Sequence, residues 1–297
     1  MSLKGLAAET VSITDRARYT APSGRIVTMT AEIRAMLDGT VLYTPDALDA
    51  LVSSLGAVEA PRATRVEVTG ETTGAALRRL LVDERCAEAF ALNFASAKNP
   101  GGGFLGGAKA QEEDLCRVSA LYSSQITRRA YYDENRATDT LIYTDHAIYS
   151  PRVAFFRDER LELLEEPFYP SVLTMPAPNA GEHLRKSPGD RRSIRDALAR
   201  RIAMVLAVAR AHEHRALVLG AWGCGVFRND PTEVAELFAA ALDAPVFKGA
   251  FDRVTFAVYD RAGGPNRAAF ARVTSARHQD GALARGAANV RPGNSLG

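Results

Sequence analysis

Asn99-Pro100-Gly101-Gly102-Gly103-Phe104-Leu105-Gly106-Gly107-Ala108-Lys109-Ala110-Gln111-Glu112-Glu113-Asp114 decides how the rest of the chain is read. Five glycines crowd a short loop, and a glutamine and three acids follow at once. Before the loop, Ala89-Phe90-Ala91-Leu92-Asn93-Phe94-Ala95 reads as a buried strand. After it, Leu115, Val118, Leu121, Tyr122 and Ile126 are spaced along one helical face, predicting a long helix that ends near Asn135. Glycine permits positive φ and close backbone approach. A helix N-terminus offers unpaired N–H groups to an anion. Carboxylates placed there can touch whatever the loop holds.

The same order recurs downstream. Ala216-Leu217-Val218-Leu219 is a second apolar strand, running into Gly220-Ala221-Trp222-Gly223-Cys224-Gly225-Val226-Phe227-Arg228-Asn229-Asp230-Pro231 and then a helix from Thr232 to Leu242. Gly223 to Phe227 present consecutive backbone N–H groups with little side-chain obstruction, a diphosphate cradle by type. Phe227 is either a core residue or a platform for a base. Cys224 has no histidine near it in sequence and reads as a small packing residue, with Trp222 packed behind the loop.

Outward from these loops, strands and helices alternate from about residue 64. Arg65 to Val68 is strand-like, Thr72 or Thr73 caps a helix through Leu81, and Val254 to Tyr259 is a final strand before a helical Ala268 to Val273. Leu141–Tyr149, Val153–Phe156 and Ser171–Met175 form a β-rich piece. Ser187-Pro188-Gly189-Asp190 starts a helix reaching about Glu213, whose arginine face (Arg191, Arg195, Arg200, Arg201, Arg210) reads as solvated. The opening section reads as helix (Ser2–Asp15), hairpin (Tyr19–Thr28), helix capped by Thr30, strand (Thr40–Tyr43) and helix from Pro45. Apolar strands in alternating units imply an α/β fold with helices on both faces of the sheet. Ligands of such sheets bind beyond the strand carboxyl ends, where both glycine loops sit. One cleft between two loops is the expectation.

The 297 residues are 46% hydrophobic and 24% charged with a net charge of +2, so no strong field points to nucleic acid. No run of about 18 apolar residues predicts a membrane span, and the first residues lack a signal-peptide core. Cys86, Cys116 and Cys224 form no Cys-x-x-Cys pair; a reducing cytoplasm is expected. His212-Glu213-His214 reads as a solvated helix end, and no metal-ligand spacing occurs. The first loop lacks the lysine of a P-loop. Gly101, Gly103 and Gly106 satisfy G-x-G-x-x-G, which any glycine-crowded loop does. Adjacent helical residues diverge by roughly 100°, so one of Glu112 and Glu113 can face the cleft. A protonated carboxyl beside a sugar bond is what glycosidic cleavage asks of its general acid.

Gly101-Gly102-Gly103, seven residues, then Gln111-Glu112-Glu113 resembles the GGG-x(6–8)-QEE signature of poly(ADP-ribose) glycohydrolases. Asn93-Phe94-Ala95-Ser96-Ala97, Asn99-Pro100 and Gly220 to Phe227 resemble the compact bacterial type. The resemblance implies a macrodomain-like mixed sheet sandwiched between helices at residues 64–278. Residues 1–63 would be an N-terminal extension packed on this core and 279–297 a flexible tail. It implies hydrolysis of ribose–ribose O-glycosidic bonds in poly(ADP-ribose), mainly from the chain end, in the setting of a DNA damage response. Glu113 would be the catalytic acid and then base, with Glu112 setting ribose geometry. Asn99, Gly101, Gly102 and Gly103 would hold the distal ribose, and Gln111 would be a further substrate-binding residue; Gly223, Cys224, Gly225, Val226 and Phe227 would take diphosphate, with Phe227 against adenine. No cofactor and no metal are implied. Partners would be poly(ADP-ribose), ADP-ribose and poly-ADP-ribosylated proteins, with the chain a monomer. Rival readings are a hydrolase of mono-ADP-ribosyl links, a non-catalytic ADP-ribose reader, and a nicotinamide-dependent oxidoreductase.

Overall fold

A computed structural model describes residues 2–260 and 264–275; the expected tail at 279–297 and the boundary at 278 lie outside these. The elements are α1 (Leu3–Arg16), β1 (Arg18–Thr20), β2 (Ile26–Thr28), α2 (Thr30–Gly39), β3 (Val41–Tyr43), α3 (Pro45–Ser54), β4 (Arg65–Thr69) and α4 (Thr73–Arg78). They continue with β5 (Phe90–Phe94), α5 (Gln111–Val118), α6 (Leu121–Ile126), α7 (Arg129–Ala137), β6 (Ala147–Ser150), β7 (Phe155–Arg157), β8 (Leu163–Phe168) and β9 (Ser171–Met175). Then come α8 (Ala180–Lys186), α9 (Arg191–Ala211), β10 (Ala216–Leu219), α10 (Pro231–Asp243), β11 (Arg253–Ala257) and a helix over 265–275.

Local chemistry starts many of these helices. Ser2, Thr44, Thr72, Asp190 and Asp230 each accept a hydrogen bond from an N–H of the first turn, and Pro45 and Pro231 sit where a helix needs no N–H. Thr30 is already helical; the residue before it, Met29, caps α2 without a side-chain bond.

The seven-stranded sheet runs β3-β6-β9-β5-β10-β11-β4. The strands from β9 to β4 are parallel neighbours, while β6 is antiparallel to both β9 and β3. The expected mixed sheet between helices is therefore present. Its edge strand β3 comes from the first 63 residues. The central strands are apolar on both sides: Phe90, Leu92, Leu217 and Leu219 join one core with α3, α9 and α10, whereas Ala91, Ala216 and Val218 join another with α1, α2, α4 and α5.

The expected long helix after the first loop is three helices. Ser119 is pulled into extended backbone (φ −146°, ψ 175°) by a bridge to Phe155, and Ala120 N donates to Ala154 O at 2.9 Å. A second break falls at Arg128, whose guanidinium reaches Thr40 O. Two elements lie outside the sequence expectation: strand β8, paired with β7, and helix α8.

The arginine face of α9 is only partly solvated. Arg201 is fully buried: it pairs with Asp145 at 2.6 Å and donates to the carbonyls of Pro176, Ile142 and Tyr143 at 2.8–3.0 Å. Arg210 donates to Gly56 O and Val246 O. The His212-Glu213-His214 segment is no solvated end either. His214 is buried between Glu88 and the Tyr149 hydroxyl, and the His212 ring stacks on Tyr149 at 3.7 Å. Among the described residues no group of three or more His, Cys, Asp or Glu is placed to hold a metal. No helix there is long and apolar enough to cross a membrane.

Candidate active site

Strands β5 and β10 are parallel neighbours, so the two glycine loops leave the same edge of the sheet side by side. They depart toward opposite faces. Phe104 of the first loop and Leu115 of α5 belong to the α1/α5 core, whereas Trp222 of the second loop and Ala177 beyond β9 belong to the α9/α10 core. The sheet edge is thus flanked by two walls.

The first wall is built on Gln111. Its side-chain Oε1 accepts from Phe94 N at 2.8 Å, and its Nε2 donates to Leu92 O at 2.9 Å and Thr73 Oγ1 at 3.1 Å. This amide fastens the first turn of α5 to the end of β5. Its polar atoms are engaged with the protein, so its geometry is that of a positioning residue.

That fastening aims the two glutamates. Glu112 points inward and is 2% exposed. Its Oε1 accepts from Gln125 Nε2 at 2.8 Å and Asn93 Nδ2 at 3.1 Å, and its Oε2 accepts from Ser96 N at 2.7 Å. Burial pushes its pKa up to about 8, against the three N–H donors that pull it down. Thr174 Oγ1 joins the same network, accepting from Asn93 and Gln125. Glu113 is half-buried and faces the loop, where Gly103 N donates to its Oε1 at 2.8 Å.

The glycines make room for these carboxylates. Gly102 has φ +58°; a Cβ there would overlap Glu113 Oε1 and stand 3.2 Å from Glu112 Oε2. Gly101 has φ +65°, with Tyr122 and Phe104 closing its other side. Asn99 is exposed, its carbonyl accepting from Gly102 N at 3.0 Å. Helix α1 backs the wall from outside: Gly107 lies against Leu3 and Lys4, and Thr10 Oγ1 donates to Arg117 O at 2.8 Å.

The second wall is an open cradle. Among the described residues no acceptor meets the amides of Gly223, Gly225, Val226 and Phe227. Val226 is 86% exposed. Asn229 shapes the turn from beneath, donating to Pro178 O at 2.9 Å and Gly223 O at 3.1 Å. Cys224 sits over Trp222 O, and burial pushes its thiol pKa up to about 12, which suits packing and not nucleophilic attack. Trp222 is fully buried behind the loop, as expected.

Phe227 is half-buried, and its ring lies 6.1 Å from that of Tyr143. Tyr143 is an addition to the sequence-based list. It holds a left-handed backbone (φ +63°), and its carbonyl is one of those gripped by Arg201. Asn93, Ser96, Gln125 and Thr174 were also missing from that list. Asn93 and Ser96 lie in the Asn93–Ala97 stretch already singled out, and Asn93 is polar inside an otherwise apolar strand; Gln125 and Thr174 carry no local signal.

Known proteins match this arrangement closely. The family model for the catalytic domain of microbial-type PARG, poly(ADP-ribose) glycohydrolase, matches residues 7–158. The crystal structure of poly(ADP-ribose) glycohydrolase from Thermomonospora curvata is 50% identical, with a TM-score of 0.84, covering 91% of this chain and 98% of that one. The same enzyme bound to the inhibitor ADP-HPD is 49% identical over the same shares, with a TM-score of 0.82. The glycohydrolase from Deinococcus radiodurans in complex with ADP-ribose is 45% identical, with a TM-score of 0.74, covering 82% of this chain and 97% of that one. No curated relative matches the chain. With a family model across half its length and a half-identical structure across nine-tenths, the chain belongs to the microbial-type poly(ADP-ribose) glycohydrolase family.

Proposed function

We propose that the protein hydrolyses the ribose–ribose O-glycosidic bonds of poly(ADP-ribose), mainly from the chain end, and releases ADP-ribose. One arrangement carries the reading: the half-exposed carboxyl of Glu113 is held against Gly102 and Gly103 on one glycine loop, and the neighbouring loop has amides with no acceptor among the described residues. Relatives with this fold were solved with ADP-ribose and with the inhibitor ADP-HPD.

In this reading the terminal ADP-ribose spans both walls. Its diphosphate meets the amides of Gly223 and of Gly225 to Phe227, and adenine lies against Phe227 and Tyr143. Its distal ribose sits over Gly101 to Gly103 beside Asn99. As general acid, Glu113 gives a proton to the bridging oxygen as the bond to the anomeric carbon breaks, leaving an oxocarbenium-like sugar. The carboxylate so formed then takes a proton from water as the water oxygen bonds to that carbon. Buried Glu112 presents Oε2 toward Gly102 and holds a ribose hydroxyl. Its donors Asn93, Ser96 and Gln125 fix it, so little reorganisation accompanies the step. Residues 1–63 serve the same unit, with α1 bracing the first wall.

Incubation with poly(ADP-ribose), following free ADP-ribose by chromatography, tests the reading. Steady release of the monomer is expected. Tight ADP-ribose binding without any release would make the protein a reader instead.

A further inference from the structure

A groove of about 260 Å³ lies beside the first loop, lined by Pro100, Ile126, Arg129, Tyr132, Asp133 and Arg136. Pro100 is two residues, at most about 7 Å of chain, from Gly102, which the Glu112 and Glu113 carboxylates adjoin. The rest of the lining comes from the end of α6 and from α7.

Its chemistry is divided. Ile126 is 43% exposed and, with Pro100, offers an apolar side. Arg129 is exposed and has no acidic partner among the described residues. Arg136 pairs at 2.8 Å with Asp133, its neighbour one helical turn away. Tyr132 is 1% exposed, and its hydroxyl has no hydrogen-bond partner among the described residues. A buried hydroxyl left unpaired is costly in a protein interior; this one is closed off from solvent behind the groove's lining.

We infer that this groove is a subsite for the leaving side of the polymer, taking the adenosine and diphosphate of the unit that precedes the scissile bond. The inference rests on the proposed glycohydrolase reading and extends it. The oxygen that leaves the anomeric carbon belongs to the adenosine ribose of that preceding unit. A nucleoside, followed by its diphosphate, must therefore emerge next to the first loop. The apolar side of Pro100 and Ile126 suits the base, and the guanidinium groups of Arg129 and Arg136 suit the diphosphate. The groove is smaller than a site that encloses a whole ligand, as expected of a surface that touches one edge of a passing polymer. It makes the identity of the leaving group matter to the enzyme.

The test compares two substrates on one variant. Arg129→Glu/Arg136→Glu is assayed on poly(ADP-ribose) and on an aryl ADP-riboside, which has the same terminal unit and no preceding one. Both arginines are on the surface, and ADP-ribose binding by calorimetry controls for folding. Expected is a fall of about tenfold in kcat/KM on the polymer, comparable to one lost charge-assisted contact, with the aryl substrate and ADP-ribose affinity within twofold of wild type. Ile126→Asn is expected to shift the same ratio in the same direction by less. Equal loss on both substrates, or no loss on the polymer, overturns the subsite. A wild-type protein that turns over neither substrate removes the glycohydrolase reading itself.

Discussion

The two glycine loops look alike in sequence and differ in physics. In the first, the amides of Ser96, Gly102, Gly103, Gly106, Gly107 and Ala108 are taken, by Glu112, Glu113 or loop carbonyls, and that of Gly101 has no acceptor among the described residues. Its glycines clear space for carboxylates. In the second, the amides of Gly223 and of Gly225 to Phe227 have no acceptor among the described residues. Its glycines clear a path to N–H groups. Glycine richness alone therefore does not specify an anion cradle. What the amides are bonded to decides between a wall that performs chemistry and a wall that receives charge.

That division can be broken most sharply at Glu113. Replacing it with glutamine is expected to lower kcat by roughly 10²–10⁴ while ADP-ribose binds within a few-fold of wild type. A near-normal rate would take the chemistry away from the first wall. Next comes the pH dependence of stability. The folded-state pKa of Glu112 lies above its ordinary 4.5, at about 8. The native state therefore holds a proton that the unfolded chain releases, and stability falls as pH rises from about 5 through 8, by something on the order of 2–4 kcal/mol. Glu112→Gln should flatten the fall in thermal melts between those pH values; an unchanged slope would assign it to another group.

Gly102→Ala pushes a methyl into Glu113 at a left-handed backbone position. A displaced carboxylate predicts a loss of about 10² in kcat, and full activity would show that Glu113 need not stay where Gly103 holds it. On the second wall, Gly223→Ala, with φ +71° and Ala177 2.6 Å from the new Cβ, distorts the cradle. About a tenfold weaker affinity for ADP-ribose is expected, with kcat less affected. A fall in kcat alone would undo the separation of roles. Smallest of all, Cys224→Ala should change turnover less than about twofold, because a thiol held this protonated attacks poorly.

The strand, loop and helix order was legible because each unit carries its own signal: an apolar run, crowded glycines, a capping residue. The glutamates were legible because adjacent helical positions must diverge. The missed features have distant partners. Nothing near Ser119 in sequence tells that β7 will pull it out of a helix. Strand β8 holds Glu165, Glu166 and Pro167, which hide a strand pattern, and its pairing is confined to a small hairpin sheet. Arg201 sits in a stripe of surface arginines. It is buried because the carbonyls of Ile142, Tyr143 and Pro176 converge on it from other elements. Gln125 reaches Glu112 from 13 positions away, and Thr174 joins the network through Gln125 and Asn93, 49 and 81 positions away.

Helix α1 has a kinetic consequence. Its Thr10 bonds to Arg117, 107 residues onward, and its first turn rests on Gly107. Docking of α1 on this wall therefore cannot be completed until α5 exists, and it closes a long loop of chain. The reactive wall is finished only when α1 closes against it. During refolding, ADP-ribose-binding competence and hydrolytic competence need not appear together, because turnover waits for α1 to dock on the first wall.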